Sequence, residues 1–249
     1  MQTIVLATQK GGSGKSTLAI GLALAAIHSG HSVRLIETDS LGTLSNWQRR
    51  RVFAEPQVDP VYNAAEIEAR LQAAADAGVS LTIIDTAAGL SAATTAAIRY
   101  ADLCLIPARP CVADIEATAS TLQIARAWEK PFAFILNQTP IRGQRIANAA
   151  NALGDEAALE AAGVLALPYV VMRNDHQDAL GKGLAVGEYA PNGKSADEIN
   201  ALWQWIELKL TGAVAIEEHE TLDLDSPAPD LAPAPAPYRP AVTESALVS

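Results

Sequence analysis

Short apolar runs alternate along the chain with longer alanine-rich stretches in which apolar residues recur at helical spacing. That alternation predicts βαβ units closing a mostly parallel sheet, an α/β fold with helices on both faces. Strands are expected at 2–8 (QTIVLAT), 32–37 (SVRLIE), 80–85 (SLTIID), 102–107 (DLCLIP), 131–136 (PFAFIL) and 164–168 (VLALP). Helices are expected at about 15–29, 63–77, 91–100, 113–128, 144–161 and 195–210. The strand runs are nearly continuous in apolar residues, as strands covered on both faces should be. No internal repeat at a fixed period is visible.

The pattern stops near Gly212. EEHETLDLDS is acidic, and residues 227–240 hold six prolines. Such a composition buries too little apolar surface to offset chain entropy, so a folded domain over 1–211 and an acidic Pro/Ala-rich disordered tail over 212–249 are expected. Residues 213–249 carry seven acidic groups against Arg239, a net of −6 out of −10 for the whole chain. With a pI of about 4.8, the chain is not one that coats nucleic acid by being basic all over, although a local basic patch is still allowed. Cys104 and Cys111 make neither a disulfide framework nor a CxxC pair, which points to a reducing compartment. MQTIVLATQK has no charged segment before an apolar one, and the longest apolar stretch, 18–27, is too short for a bilayer. A cytoplasmic protein is expected.

The chemistry begins at the end of the first strand, where QKGGSGKST leads into the apolar LAIGLALAAI. The strict pattern GxxxxGK(S/T) fails, since its first glycine falls at Gln9. Gly11, Gly12 and Gly14 still let the backbone N–H groups of the 11–17 segment curl around phosphate oxygens at a helix N-terminus. Lys15 adds a point charge for the β- and γ-phosphates, and the Ser16 hydroxyl can ligate Mg²⁺. Gly11, Gly12, Ser13, Gly14, Lys15, Ser16 and Thr17 are therefore the expected ATP-binding residues.

Lys10 makes the match more specific. KGGSGKST resembles the deviant Walker A box, KGGxGK(S/T)T, of the ParA/MinD family of dimeric P-loop ATPases. The resemblance implies that Lys10 reaches the nucleotide of a partner subunit and neutralises charge developing on the γ-phosphate, an arginine-finger role filled by lysine. RLIETDSLGTLSNWQ is similar to the family's DxDPQG…W segment: Asp39, Gly42 and Trp47 match, Glu37 replaces the first aspartate, and Ser40-Leu41 replace Pro-Gln. Asp39, at a strand's C-terminal end, is assigned to orient the attacking water. LTIID looks like a Walker B strand whose Asp85 holds Mg²⁺ through water, with the family's DTPP changed to DTAAG. Asn137 closes a later strand at the ligand edge, where it either reads adenine or serves as a turn residue.

The family resemblance implies an ATP-dependent sandwich dimer released by hydrolysis, with ATP and Mg²⁺ as cofactors. MinD-like relatives end in a basic amphipathic helix; this acidic, proline-rich tail points away from a membrane partner. ParA-type relatives bind DNA without sequence preference through late basic residues. Here Arg173, Lys182 and Lys194 are the DNA-binding candidates, with Arg142 and Arg145 upstream. The expected function is a ParA-type ATPase that positions a plasmid, chromosome region or protein assembly, associated with the nucleoid and stimulated by a partner protein or cargo adaptor. The alternative is an ATP-switched regulatory or assembly protein that binds a protein partner and no DNA. A third reading, an amide-forming ligase on the same fold, is disfavoured by Lys10 and by the absence of a second substrate domain.

Overall fold

A computed structural model describes residues 1–157 and 161–212. Apart from Gly212, the expected tail lies outside the described residues. Six strands, β1 (Gln2–Leu6), β2 (Val33–Glu37), β3 (Gln57–Pro60), β4 (Leu81–Asp85), β5 (Leu103–Ala108) and β6 (Phe132–Leu136), form one sheet in the order β3-β2-β4-β1-β5-β6. Every pairing among them is parallel, which requires each connection to cross over a face of the sheet. The helices are α1 (Lys15–His28), α2 (Thr43–Arg50), α3 (Ile67–Asp76), α4 (Ala92–Arg99), α5 (Val112–Glu116), α6 (Thr118–Ala127), α7 (Gln144–Ala157), α8 (Ala161–Val164), α9 (Asn174–Gly181), α10 (Val186–Tyr189) and α11 (Lys194–Leu210).

Strand periodicity divides the core in two. Ile4, Leu6, Leu35, Ile83 and Leu105 face α1, α11 and Trp47 on one side of the sheet. Val5, Ile36, Ile84, Cys104 and Ile106 face α3, α4, α6 and α7 on the other. Cys104 is a packed apolar side chain, its thiol pushed up to about 12 by burial. Helix α1 is covered on almost all sides from Leu18 to Ala26, which explains why its sequence is apolar without a polar stripe.

Two expectations are corrected, and two elements were not foreseen. The 164–168 run does not form a continuous strand: α8 ends at Val164, and the stretch meets β6 through an isolated parallel bridge, Phe134 with Leu165, and the Ala166 N–H donating to the Phe134 carbonyl oxygen at 2.8 Å. Pro168 has no N–H to continue a ladder. Strand β3 and helix α2 were not anticipated. β3 is a four-residue edge strand ending in proline, with no apolar run of its own, and it exists through its pairing with β2. The TLSNWQRR helix starts because Glu37, buried at the end of β2, accepts from the N–H groups of Leu44 and Ser45 and from the Ser45 hydroxyl. The expected 113–128 helix is divided into α5 and α6 at Ala117.

Register places the site. Asp85 pairs with Leu6 on one side and Glu37 on the other, so β1, β2 and β4 end level with one another beneath the glycine loop.

Candidate functional site

The loop between β1 and α1 turns through Gly14, which sits in the left-handed region (φ 89) and serves as the N-cap of α1. Among the described residues, the N–H groups of Gly11 to Lys15 have no backbone acceptor, and they lie at the positive end of α1. Ser13 is buried, with its Oγ unpartnered. Ser16 and Thr17, in the first turn of α1, are half-buried.

The two lysines of the loop are placed differently. Lys15 is buried, and its Nζ folds back to the Lys10 carbonyl oxygen at 3.5 Å. Burial lowers its pKa, opposed by the charges of Asp85 and Asp39. The Lys10 side chain is exposed.

Asp85 is fully buried, and neither carboxylate oxygen has a hydrogen-bond partner. Burial pushes its pKa up to about 7; the neighbouring Ser16 and Lys15 hold it down, while Glu37 and Asp39 raise it further. Ser16 lies beside the carboxyl without a hydrogen bond of normal geometry. An orphaned buried carboxylate next to a P-loop hydroxyl is the oxygen-donor set that a hydrated Mg²⁺ needs, so these residues fit that ion. Asp39 is half-buried at the mouth of the β2–α2 turn, its Oδ1 accepting from the Leu41 N–H at 3.0 Å.

Asn137 is brought to the loop at the end of β6. Its Nδ2 donates to the Ser13 carbonyl oxygen at 2.7 Å, and Gln138 Nε2 donates to the Gly12 carbonyl oxygen at 2.8 Å. The pair braces the phosphate loop from outside. Gln138 holds a left-handed backbone (φ 53), strain that a neighbouring structure must maintain. Gln138 was not foreseen from the sequence.

The late basic residues are not three free cations. Arg173 is paired with Glu198 of α11 at 2.5 Å, and the same carboxylate takes the Val171 N–H. Lys182, at the C-terminal end of α9, lies over the Tyr189 ring at 4.6 Å. Lys194 is exposed at the start of α11, and Arg142 and Arg145 are exposed. Glu188 of the GEYAP segment makes a two-pronged pair with the buried Arg51, both contacts 2.7 Å. That pair locks α2 onto the 183–188 segment, where Gly183 runs directly against the Arg50–Arg51 backbone with no space for a Cβ.

A family model described as VirC1 protein matches residues 1–149, which contain the glycine loop, Asp39, Asp85 and Asn137. The chain belongs to the VirC1 family. It is thereby one of the ParA/MinD P-loop ATPases. Two curated relatives from Rhizobium radiobacter, ParA and VirC1, are each 32% identical to it, over 126 and 127 residues. These matches cover 50% and 49% of this chain and 56% and 54% of the relatives, so the chain spans little more than half the length of each. Among solved structures, apo McdA of Cyanothece superposes with a TM-score of 0.65 at 19% identity, covering 81% of this chain and 99% of that one. MinD of Pyrococcus horikoshii, complexed with Mg-ADP, gives 0.68 at 16% identity, covering 86% and 99%. At such identities these likenesses establish the shared P-loop fold.

Proposed function

We propose that this VirC1-family protein is a ParA-type ATPase that binds ATP, pairs two copies across the nucleotide, and separates them on hydrolysis to ADP and phosphate, thereby positioning a cargo such as a plasmid, chromosome region or protein assembly. The observation that carries the reading is the division of one loop between two lysines. Lys15, drawn inward, faces the site of its own chain, whereas Lys10 extends into solvent beside it, free to reach a second copy. In this scheme Gly11 to Gly14 and Lys15 hold the phosphates, and Asn137 and Gln138 keep the loop in shape. Asp39 orients the attacking water, and Lys10 neutralises charge on the partner's γ-phosphate. Mg²⁺, held by Ser16 and through water by Asp85, would supply positive charge between the β- and γ-phosphates. The relatives' names, ParA among curated proteins and the septum site-determining protein MinD among structures, support a positioning role. The folded unit of this scheme is 1–211, acting in the cytoplasm over the nucleoid with a stimulating partner protein.

The protein-partner alternative, without DNA, gains from the Arg173–Glu198 pair, which removes one cation from the proposed DNA surface. Light scattering with Mg-ATP beside a phosphate-release assay tests the central scheme. Lys10→Ala should bind ATP but neither pair nor hydrolyse, and Asp39→Ala should pair without turnover. Normal hydrolysis by either variant would overturn its assigned role. Retention on unrelated duplex DNA at about 50 mM salt, lost in Lys182→Glu and Lys194→Glu, separates the two partner readings; an ATP-bound dimer with no retention selects the protein-partner one.

A further inference from the structure

Glu37, the last residue of β2, is fully buried, and its carboxylate is taken up entirely by the chain ahead of it. Oε1 accepts from the Leu44 N–H at 2.6 Å, while Oε2 accepts from the Ser45 N–H at 3.2 Å and from the Ser45 hydroxyl at 2.5 Å. Gly42, the N-cap of α2, has no side chain with which to cap the helix, so Glu37 satisfies these first-turn donors from the strand instead. The contacts reach forward seven and eight positions and close residues 38–43 into a loop. At its other end the loop is pinned by the Thr38 N–H, which donates to the Asp85 carbonyl oxygen at 2.9 Å. Inside it, the Asp39 carbonyl oxygen accepts from the Gly42 N–H at 3.0 Å, and Gly42 turns through φ 69 into α2. Asp39 is thus carried by a short loop fixed at one end by the sheet and at the other by a single carboxylate.

Resting on the assignment of Asp39 to the attacking water, we propose that Glu37 is a positioning residue for hydrolysis, its grip on the first turn of α2 fixing the 38–43 loop and with it the place of the Asp39 carboxylate. A group that orients water must be held to within about 0.5 Å, which a loop released at one end does not achieve. The two departures from the DxDPQG pattern fit together on this view. Ser40 stands where the pattern has a proline, so the loop lacks the fixed φ that a proline would give it. Glu37 stands where the pattern has an aspartate, and its additional methylene supplies the reach to Leu44 and Ser45 that holds the loop from outside. Hydrogen bonding also divides the three carboxylates of this strand edge. Asp85 has no partner, Asp39 accepts from the Leu41 N–H at the mouth of the site, and Glu37 is committed to three donors.

Phosphate release by the full chain at saturating Mg-ATP, measured beside Mg-ADP binding at equilibrium and light scattering with Mg-ATP, separates positioning from a general structural role. Glu37→Asp keeps the charge and is one methylene short. It should lower kcat about 10- to 100-fold, the effect of misplacing a catalytic group by about 1 Å, with Mg-ADP affinity within about twofold of wild type and pairing retained. Glu37→Gln loses the charge but still reaches the Leu44 N–H, and should keep more of kcat than Glu37→Asp. Ser45→Ala removes one of the three donors and should lower kcat about two- to fivefold at unchanged Mg-ADP affinity; it carries the test if Glu37→Asp does not fold. A wild-type kcat in Glu37→Asp, or in Ser45→Ala where Glu37→Asp does not fold, would overturn the proposal. A higher kcat in Glu37→Asp than in Glu37→Gln would also overturn it, by assigning the effect to the charge beside Asp85 rather than to reach. So would a parallel loss of Mg-ADP affinity or of pairing, which places the damage in the phosphate loop or between the two copies. Normal hydrolysis by Asp39→Ala would refute the Asp39 assignment itself, a result distinct from any of these.

Discussion

Replacing Gly14 by alanine tests the brace on the phosphate loop. Two penalties are built into that position. The backbone is left-handed, which costs an L-residue roughly 1–2 kcal/mol. In addition, a Cβ there falls closer than 3.0 Å to Asn137 Nδ2, so the amide must move. The amide is buried and holds the Ser13 carbonyl oxygen at 2.7 Å; displacing it leaves that carbonyl unsatisfied, at about 1–3 kcal/mol. Gly14→Ala should therefore destabilise the nucleotide-free protein by about 2–5 kcal/mol. Asn137→Ala alone should cost about 1–3 kcal/mol by losing the same hydrogen bond. In the double variant the clash has no partner and the bond is already gone, so only the backbone penalty remains. The double-mutant cycle, measured by urea unfolding without nucleotide, should show the two changes costing about 1–3 kcal/mol less together than their sum. Strict additivity, within about 0.5 kcal/mol, would refute the idea that Gly14 is small in order to let Asn137 grip the loop.

Two further outcomes follow from buried charge. Asp85 titrates near 7 when folded and near 3.9 when unfolded, so the folded chain binds the extra proton between about pH 4 and 7, and stability falls as pH rises through that window. The difference of about 3 pH units, at about 1.4 kcal/mol each, makes the apo protein up to about 4 kcal/mol less stable at pH 8 than a chain carrying a neutral group. Asp85→Asn in EDTA should flatten this part of the profile and raise stability at pH 8; an unchanged pH profile would refute it. Arg51→Ala should cost about 3–5 kcal/mol by leaving Glu188 without its partner and uncovering Trp47, and Arg51→Ala/Glu188→Ala should recover part of the loss. A urea midpoint unchanged in Arg51→Ala would show that the pair does not hold α2 in place.

Local rules fix much of this protein. The glycine loop, Lys15 and Ser16 are legible in sequence because phosphate binding needs a strand, a turn through positive φ and a helix N-terminus in immediate succession, all within one stretch of chain. Asp39 and Asp85 are legible because strands that run into the core end at the ligand edge, and a polar residue closing an apolar run marks that end. Cys104 reads as core for the same reason. What the pattern does not carry is any contact made between distant elements. β3 has no apolar signature because its neighbour β2 supplies the pairing, and 164–168 has the signature but lacks a continuous ladder. Glu37, read as a departure from a motif, turns out to start α2, since only the folded turn brings the Leu44 and Ser45 N–H groups to its carboxylate. Arg173, read as a DNA-binding candidate, meets Glu198 only when α11 packs beside it. Asn137 and Gln138 grip carbonyl oxygens more than 120 residues away in the chain. Sequence sets which groups each element offers at its ends; tertiary packing decides which charges are neutralised and which carbonyls are braced.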